Sequence, residues 1–64
     1  MINYSYDVYF KKERADGVYI GLVDEFSSID DAFSLRDRMN RDSFDEGLYH
    51  ITYFVLVERI ENDH

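Results

Sequence analysis

Ile2-Asn3-Tyr4-Ser5-Tyr6-Asp7-Val8-Tyr9-Phe10-Lys11 decides the fold. Ile2, Tyr4, Tyr6, Val8 and Phe10 alternate with Asn3, Ser5, Asp7, Tyr9 and Lys11, and a period of two places the first set on one face of a β-strand. The polar stretch from Lys11 to Gly17 ends in Asp16-Gly17, a pair suited to the positive backbone angles of a tight turn. Alternation resumes at Val18, Ile20 and Leu22, so the first two strands form a β-hairpin. Gly21 leaves one position of the second strand without a side chain, which marks either a bulge or a close approach by another element.

Ser27-Ser28-Ile29-Asp30-Asp31 announces a helix directly after the second strand. Either serine can accept a hydrogen bond from a free N–H of the first turn, and the two aspartates favour its positive end. Ile29, Ala32, Phe33, Leu35 and Met39 fall on one side of a helical wheel; Asp30, Ser34, Asp37 and Arg41 fall on the other. Arg36 breaks the division by projecting within the apolar stripe, where its guanidinium either snorkels to an edge or meets a carboxylate. Arg41-Asp42-Ser43-Phe44-Asp45-Glu46-Gly47 reads as a loop, with Phe44 as an anchor against the end of the helix.

The segment from Leu48 to Ile60 is the most apolar and is expected to form the third strand. One face carries Tyr49, Ile51, Tyr53, Val55 and Val57; the other carries Leu48, His50, Phe54, Leu56 and Ile60. A strand apolar on both faces needs cover on both sides, and one helix covers only one face of a three-stranded sheet. A homodimer in which third strands pair or pack about a two-fold axis supplies the cover, with Tyr49, Ile51, Tyr53, Val55 and Val57 as its interface. The simpler alternative is a shorter, bent strand with a few exposed aromatics. The expected fold is α+β: β-β-α-β in a single domain over residues 1–64, a three-stranded antiparallel sheet of order 2-1-3 with the helix on one face, completed by homodimerisation.

Composition narrows the function. The 64 residues hold 14 acidic and 7 basic side chains, a formal net charge of −7 that repels nucleic acid and attracts proteins that bind it. Six tyrosines and five phenylalanines among these charges separate the chain from disordered acidic segments. So small a domain buries only about 60% of its unfolded surface. Without cysteine no disulfide can reinforce it, and His50 and His64 alone make no closed zinc site, so self-association is the remaining remedy. No apolar run is long enough for a membrane span, and Met1-Ile2-Asn3-Tyr4 lacks the features of a signal peptide; a cytoplasmic protein is the expectation.

Catalytic constellations are missing. The chain has no cysteine nucleophile, Gly-rich phosphate loop, H-E-x-x-H pair or nucleophile elbow, and His50 in a strand lacks an orienting carboxylate. Neither an enzyme nor a cofactor or metal is expected; neighbouring Asp30 and Asp31 diverge by about 100° on a helix and read as first-turn residues. Asp24 and Glu25 at the end of strand two lie close in sequence to Asp30 and Asp31, so four carboxylates can crowd one end of the sheet. Asp42, Asp45 and Glu46 form a second group. Carboxylates on a rigid scaffold resemble successive phosphates and suit the basic channel of a DNA-binding protein.

Ser5-Tyr6-Asp7-Val8 looks like the opening strand, and Val57-Glu58-Arg59-Ile60 like the closing valine, acid, base, isoleucine pattern, of a known family. The chain resembles the short dimeric uracil-DNA glycosylase inhibitors encoded by phages of Bacillus, and the order of elements between the two motifs agrees. The resemblance implies a protein that occupies the DNA-binding surface of the host repair enzyme inside the infected cell. Acidic groups stand in for phosphates, and an apolar pocket formed across the dimer captures the side chain that the enzyme inserts into DNA. Carried over, Phe33 is the pocket aromatic, with Ile29 and Ala32 beside it on the stripe, and Asp31 the helix acid. In the family an acid directly follows this phenylalanine and an aromatic lies three positions further on; here those places hold Ser34 and Asp37. Asp37 restores one charge, and Met39 and Phe44 offer apolar replacements. The alternative from a different class is a structural or adaptor module that pairs an exposed strand edge with another protein.

Overall fold

The computed structural model describes residues 2–61; Met1 and residues 62–64, His64 among them, lie outside the described residues. The elements run β1 (Ile2–Arg14), β2 (Gly17–Phe26), α1 (Ile29–Asp45) and β3 (Ile51–Glu61), and the sheet order is β2-β1-β3 with both pairings antiparallel. The β-β-α-β layout is therefore the expected one. β1 continues to Arg14, three residues past the alternating stretch, and its 13 residues reach about 43 Å at strand rise. That length sets the long axis of a slab 47 × 26 × 11 Å in extent.

The hairpin turn is Ala15-Asp16, and the positive angle falls on Gly17, at φ 155°, as β2 begins. Tyr19 Oη donates to Asp16 Oδ2 at 3.0 Å, and the Arg14 guanidinium lies 5.8 Å from the Tyr19 ring centroid. Gly21 is not the bulge. The register shifts where Val8 pairs with Asp24 and Tyr9 with Leu22, so Val23 is the extra residue. Gly21 instead lies beneath Phe10, and a Cβ there would come 2.4 Å from the ring. A ring packed over a cross-strand glycine fills the gap that the missing side chain leaves.

Pairing sorts the side chains. Val8 shares a face with its partners Asp24 and Val55, and Asp24 and Phe26 line a groove with Asp31, Ser34, Leu35 and Arg38 of the helix. The helix therefore covers the Val8 face. Among the described residues the fully buried apolar side chains are Val8 and Ala32, one from each layer. Ile51, Tyr53 and Val55 are half-buried on this covered face, Val57 is exposed further along it, and Tyr49 lies before β3 begins.

Among the described residues no helix covers the opposite face. Val18, Ile20 and Leu22 on β2, Tyr9 on β1, and Phe54, Leu56 and Ile60 on β3 look out from it, with Tyr9 and Phe54 stacked at 5.8 Å. Asp7 sits among them, buried, and accepts a hydrogen bond from Ser5 Oγ at 2.5 Å.

The helix departs from expectation at both ends. Ser28 occupies the N-cap position with extended backbone, yet makes no side-chain cap; its carbonyl accepts the Ala32 N–H at 3.2 Å. At the other end Asp42, Ser43 and Phe44 are helical rather than loop. Gly47, at φ 76°, donates to the Phe44 carbonyl, and Leu48 donates to the Ser43 carbonyl at 2.7 Å. This pair of bonds is the Schellman arrangement, which uses glycine's left-handed freedom to satisfy the last carbonyls of a helix. Phe44 is correspondingly no buried anchor: it is 66% exposed and meets Tyr49 edge-on at 5.4 Å.

Asn40 fixes the helix to the sheet. Tyr53 N–H donates to Asn40 Oδ1 at 2.8 Å, and Asn40 Nδ2 donates to the Tyr53 carbonyl at 3.0 Å. Both backbone groups of Tyr53 thus point away from β1 to the outer edge of β3, and the asparagine amide occupies them as a further strand would.

Candidate functional site

β2 and the first turns of α1 place the acidic residues. Because only two residues separate Phe26 from Ile29, the end of β2 and the start of α1 stay together. Asp24 of β2 and Asp31 of α1 both line an open surface groove of about 490 Å³, whose apolar side chains are Phe26 and Leu35. Arg38 and Ser34, further along the helix, complete its wall. Two carboxylates against one guanidinium leave the groove with a negative excess.

The remaining carboxylates divide. Glu25 pairs with Asp7 and so belongs to the helix-free face; it also borders a second concavity of about 560 Å³, lined by Ser5 and Ile60 of that face and by Tyr4, Tyr6 and Phe26 of the covered one. Its backbone N–H donates to Asp24 Oδ1 at 2.8 Å. Asp30 is exposed in the first helical turn. Asp37 is engaged by Arg36, whose Nε donates to Asp37 Oδ1 at 2.9 Å with a second contact from Nη2 at 2.8 Å. Of the four carboxylates expected at one end, the structure brings Asp24 and Asp31 to one groove and turns Glu25 to the other side.

The three apolar candidates also separate. Ala32 is fully buried and belongs to the core; it lines no surface. Ile29 is 40% exposed. Phe33 is half-buried, and the Arg36 guanidinium lies 4.4 Å from its ring centroid. Arg36 therefore resolves its place in the apolar stripe within its own helix, over the ring of Phe33 and paired with Asp37. The ion pair, 33% and 60% exposed, contributes at most about 1 kcal/mol.

Sequence reasoning passed over Arg38, Leu35 and Phe26 as groove residues. Helical spacing would have found the first two: Asp31, Ser34, Leu35 and Arg38 are related by steps of three and four. Among the described residues no group of three or more His, Cys, Asp or Glu side chains is placed to hold a metal ion, and no helix is long and apolar enough to cross a membrane. No protein-family model matches the chain, and neither a curated protein nor a solved structure does.

Proposed function

We propose that the chain is a phage-type, DNA-mimicking protein inhibitor, acting in the cytoplasm of the infected host cell, that blocks the DNA-binding surface of host uracil-DNA glycosylase. The observation that carries the reading is the groove between β2 and α1, where Asp24 and Asp31 flank the apolar Phe26 and Leu35. Carboxylates on a rigid strand and helix steer a basic enzyme surface into contact, and apolar side chains between them give an inserted hydrophobic side chain a place to bury. The net charge of −7 and the resemblance at both ends of the chain support the same reading. The partner is a DNA-binding protein; the chain itself takes no nucleic acid and no cofactor and performs no catalysis.

Purified glycosylase acting on a uracil-containing duplex provides the test. Excision is expected to fall to background once the chain matches the enzyme in concentration, and undiminished excision at large excess rejects the reading. Phe26→Ala, which removes the groove's aromatic side chain, is expected to weaken inhibition about tenfold, as loss of one interface aromatic does. Unchanged potency would remove Phe26 from the contact.

The adaptor reading retains one specific support. Asn40 occupies the outer edge of β3 at Tyr53, but among the described residues no strand pairs with the outer edge of β2. A partner strand would add there, and its binding would survive changes in the acidic groove.

A further inference from the structure

We infer that the notch beyond the end of β2 takes an extended segment of a partner protein, added to β1 in line with β2, that carries Lys or Arg on either side of one aromatic residue. β1 pairs with β3 from Ile2 onward, but with β2 only from Tyr6, which stands opposite Phe26. The chain then turns into α1, so among the described residues no strand lies on the β2 side of Asn3, Tyr4 and Ser5. The concavity of about 560 Å³ occupies this place, between the start of β1 and the end of β2. The bonds of Asn40 fix which backbone groups face it. Because Tyr53 turns its N–H and C=O away from β1, its cross-strand partner Phe10 turns its own toward β2. The register between β1 and β3 runs without a shift from Ile2 to Lys12, so every second residue back from Phe10 does the same. Tyr4 therefore points both groups into the notch, and among the described residues no backbone partner meets them there. A free donor and acceptor on a strand edge are a template for strand addition.

Alternation and charge specify the occupant. A residue placed opposite Tyr4 puts its side chain on the covered face, beside Tyr4, Tyr6 and Phe26, where an aromatic pair across strands is favourable. Its two neighbours point to the helix-free face. There Glu25 lies ahead of them on β2, and Glu58 lies opposite Ser5 on β3, both exposed. Glu25 also stands opposite the buried Asp7, and like charges directly opposite weaken a sheet until a cation enters. The chain's own cations nearby are engaged elsewhere. Lys11, further along the same face, is paired with Glu13 at 3.3 Å, and Arg59, opposite Tyr4 on the covered face, with Glu61 at 3.0 Å. A partner's Lys or Arg therefore meets carboxylates that lack a counter-charge. Three residues of such a segment span about 10 Å at strand rise, which fits the uncovered start of β1. Binding here leaves the outer edge of β2 free and requires no glycosylase, so it holds or fails independently of the inhibitor reading.

Nuclear magnetic resonance on the isotopically labelled chain, titrated with the synthetic peptide acetyl-Thr-Lys-Phe-Lys-Thr-amide, tests the site. Amide shifts are expected at Tyr4, Ser5, Glu25 and Phe26, and hydrogen exchange at the Tyr4 N–H is expected to slow at least about tenfold at saturation. Methylating the backbone nitrogen of the peptide's phenylalanine removes the donor to the Tyr4 carbonyl and is expected to weaken binding about tenfold. Glu25→Lys, at an exposed position that leaves the fold intact, is expected to weaken the unmodified peptide at least as much. A Tyr4 N–H already protected in the free chain overturns the proposal, because the notch is then filled by this chain or a second copy. So does a peptide that causes no shifts at millimolar concentration, one that binds equally well when methylated, or shifts centred on Asp31 and Leu35 instead.

Discussion

Asn40→Ala is expected to lower stability by about 2 kcal/mol, because it leaves the half-buried N–H and C=O of Tyr53 without their partner. In a domain whose single small core supplies only about 3–5 kcal/mol, this is a large share of the total. With a urea slope of about 1 kcal/mol per molar, the unfolding midpoint should fall by about 2 M. Arg41→Ala, one residue on and exposed, is expected to stay within about 0.5 kcal/mol of the wild type. The comparison must be made at one protein concentration, since association shifts apparent stability by mass action. Freed of Asn40, the β3 edge also becomes a template for pairing, so the variant should aggregate more readily. Equal midpoints for the two variants would show that the asparagine does not secure the helix to the edge.

Asp24→Lys combined with Asp31→Lys is expected to reduce inhibition of the glycosylase by at least about 100-fold, each reversal contributing about 1.4 kcal/mol or more. Both residues flank the groove between β2 and α1, and both are exposed. Net charge alone cannot account for such a loss if the control is chosen well. Asp42→Lys with Asp45→Lys makes the same change in charge at the far end of the helix, about 20 Å from Asp31 at 1.5 Å per residue. That control should slow association modestly and spare affinity, because distant charges steer the encounter without entering the contact. If the two pairs weaken inhibition equally, the groove is not the contact and only bulk acidity matters.

Much of the fold is legible because β1 alternates without interruption and β3 is apolar on both faces. Those two strands, with a helix between β2 and β3, leave few topologies other than 2-1-3. The details that escaped depend on which atoms meet across the sheet. Gly21 reads equally as a bulge or a close approach until the register places Phe10 on its face and Val23 at the shift. Asp42 and Ser43 look like loop residues, and only the bonds from Gly47 and Leu48 show that the helix continues to Asp45. Asn40 carries no local signal beyond being a polar amide at a position facing the sheet.

The site was legible in part for the same reason. Proximity along the chain brought Asp24 and Asp31 together, but strand alternation sends Glu25 to the opposite face, a consequence of period two that grouping by sequence ignores. Ala32 satisfied the apolar stripe so well that it became core. Apolar residues beyond what one helix can cover were visible in β3; that β2 contributes as many, through Val18, Ile20 and Leu22, became clear only with the faces assigned.

The most direct test of the central claim is competition for the enzyme's DNA-binding surface. Fluorescence anisotropy of a labelled duplex bound to host uracil-DNA glycosylase would be followed as the chain is added. The account predicts that the duplex is released completely, with anisotropy returning to that of free DNA as the chain saturates the enzyme. A duplex that stays bound in the presence of saturating chain would contradict it.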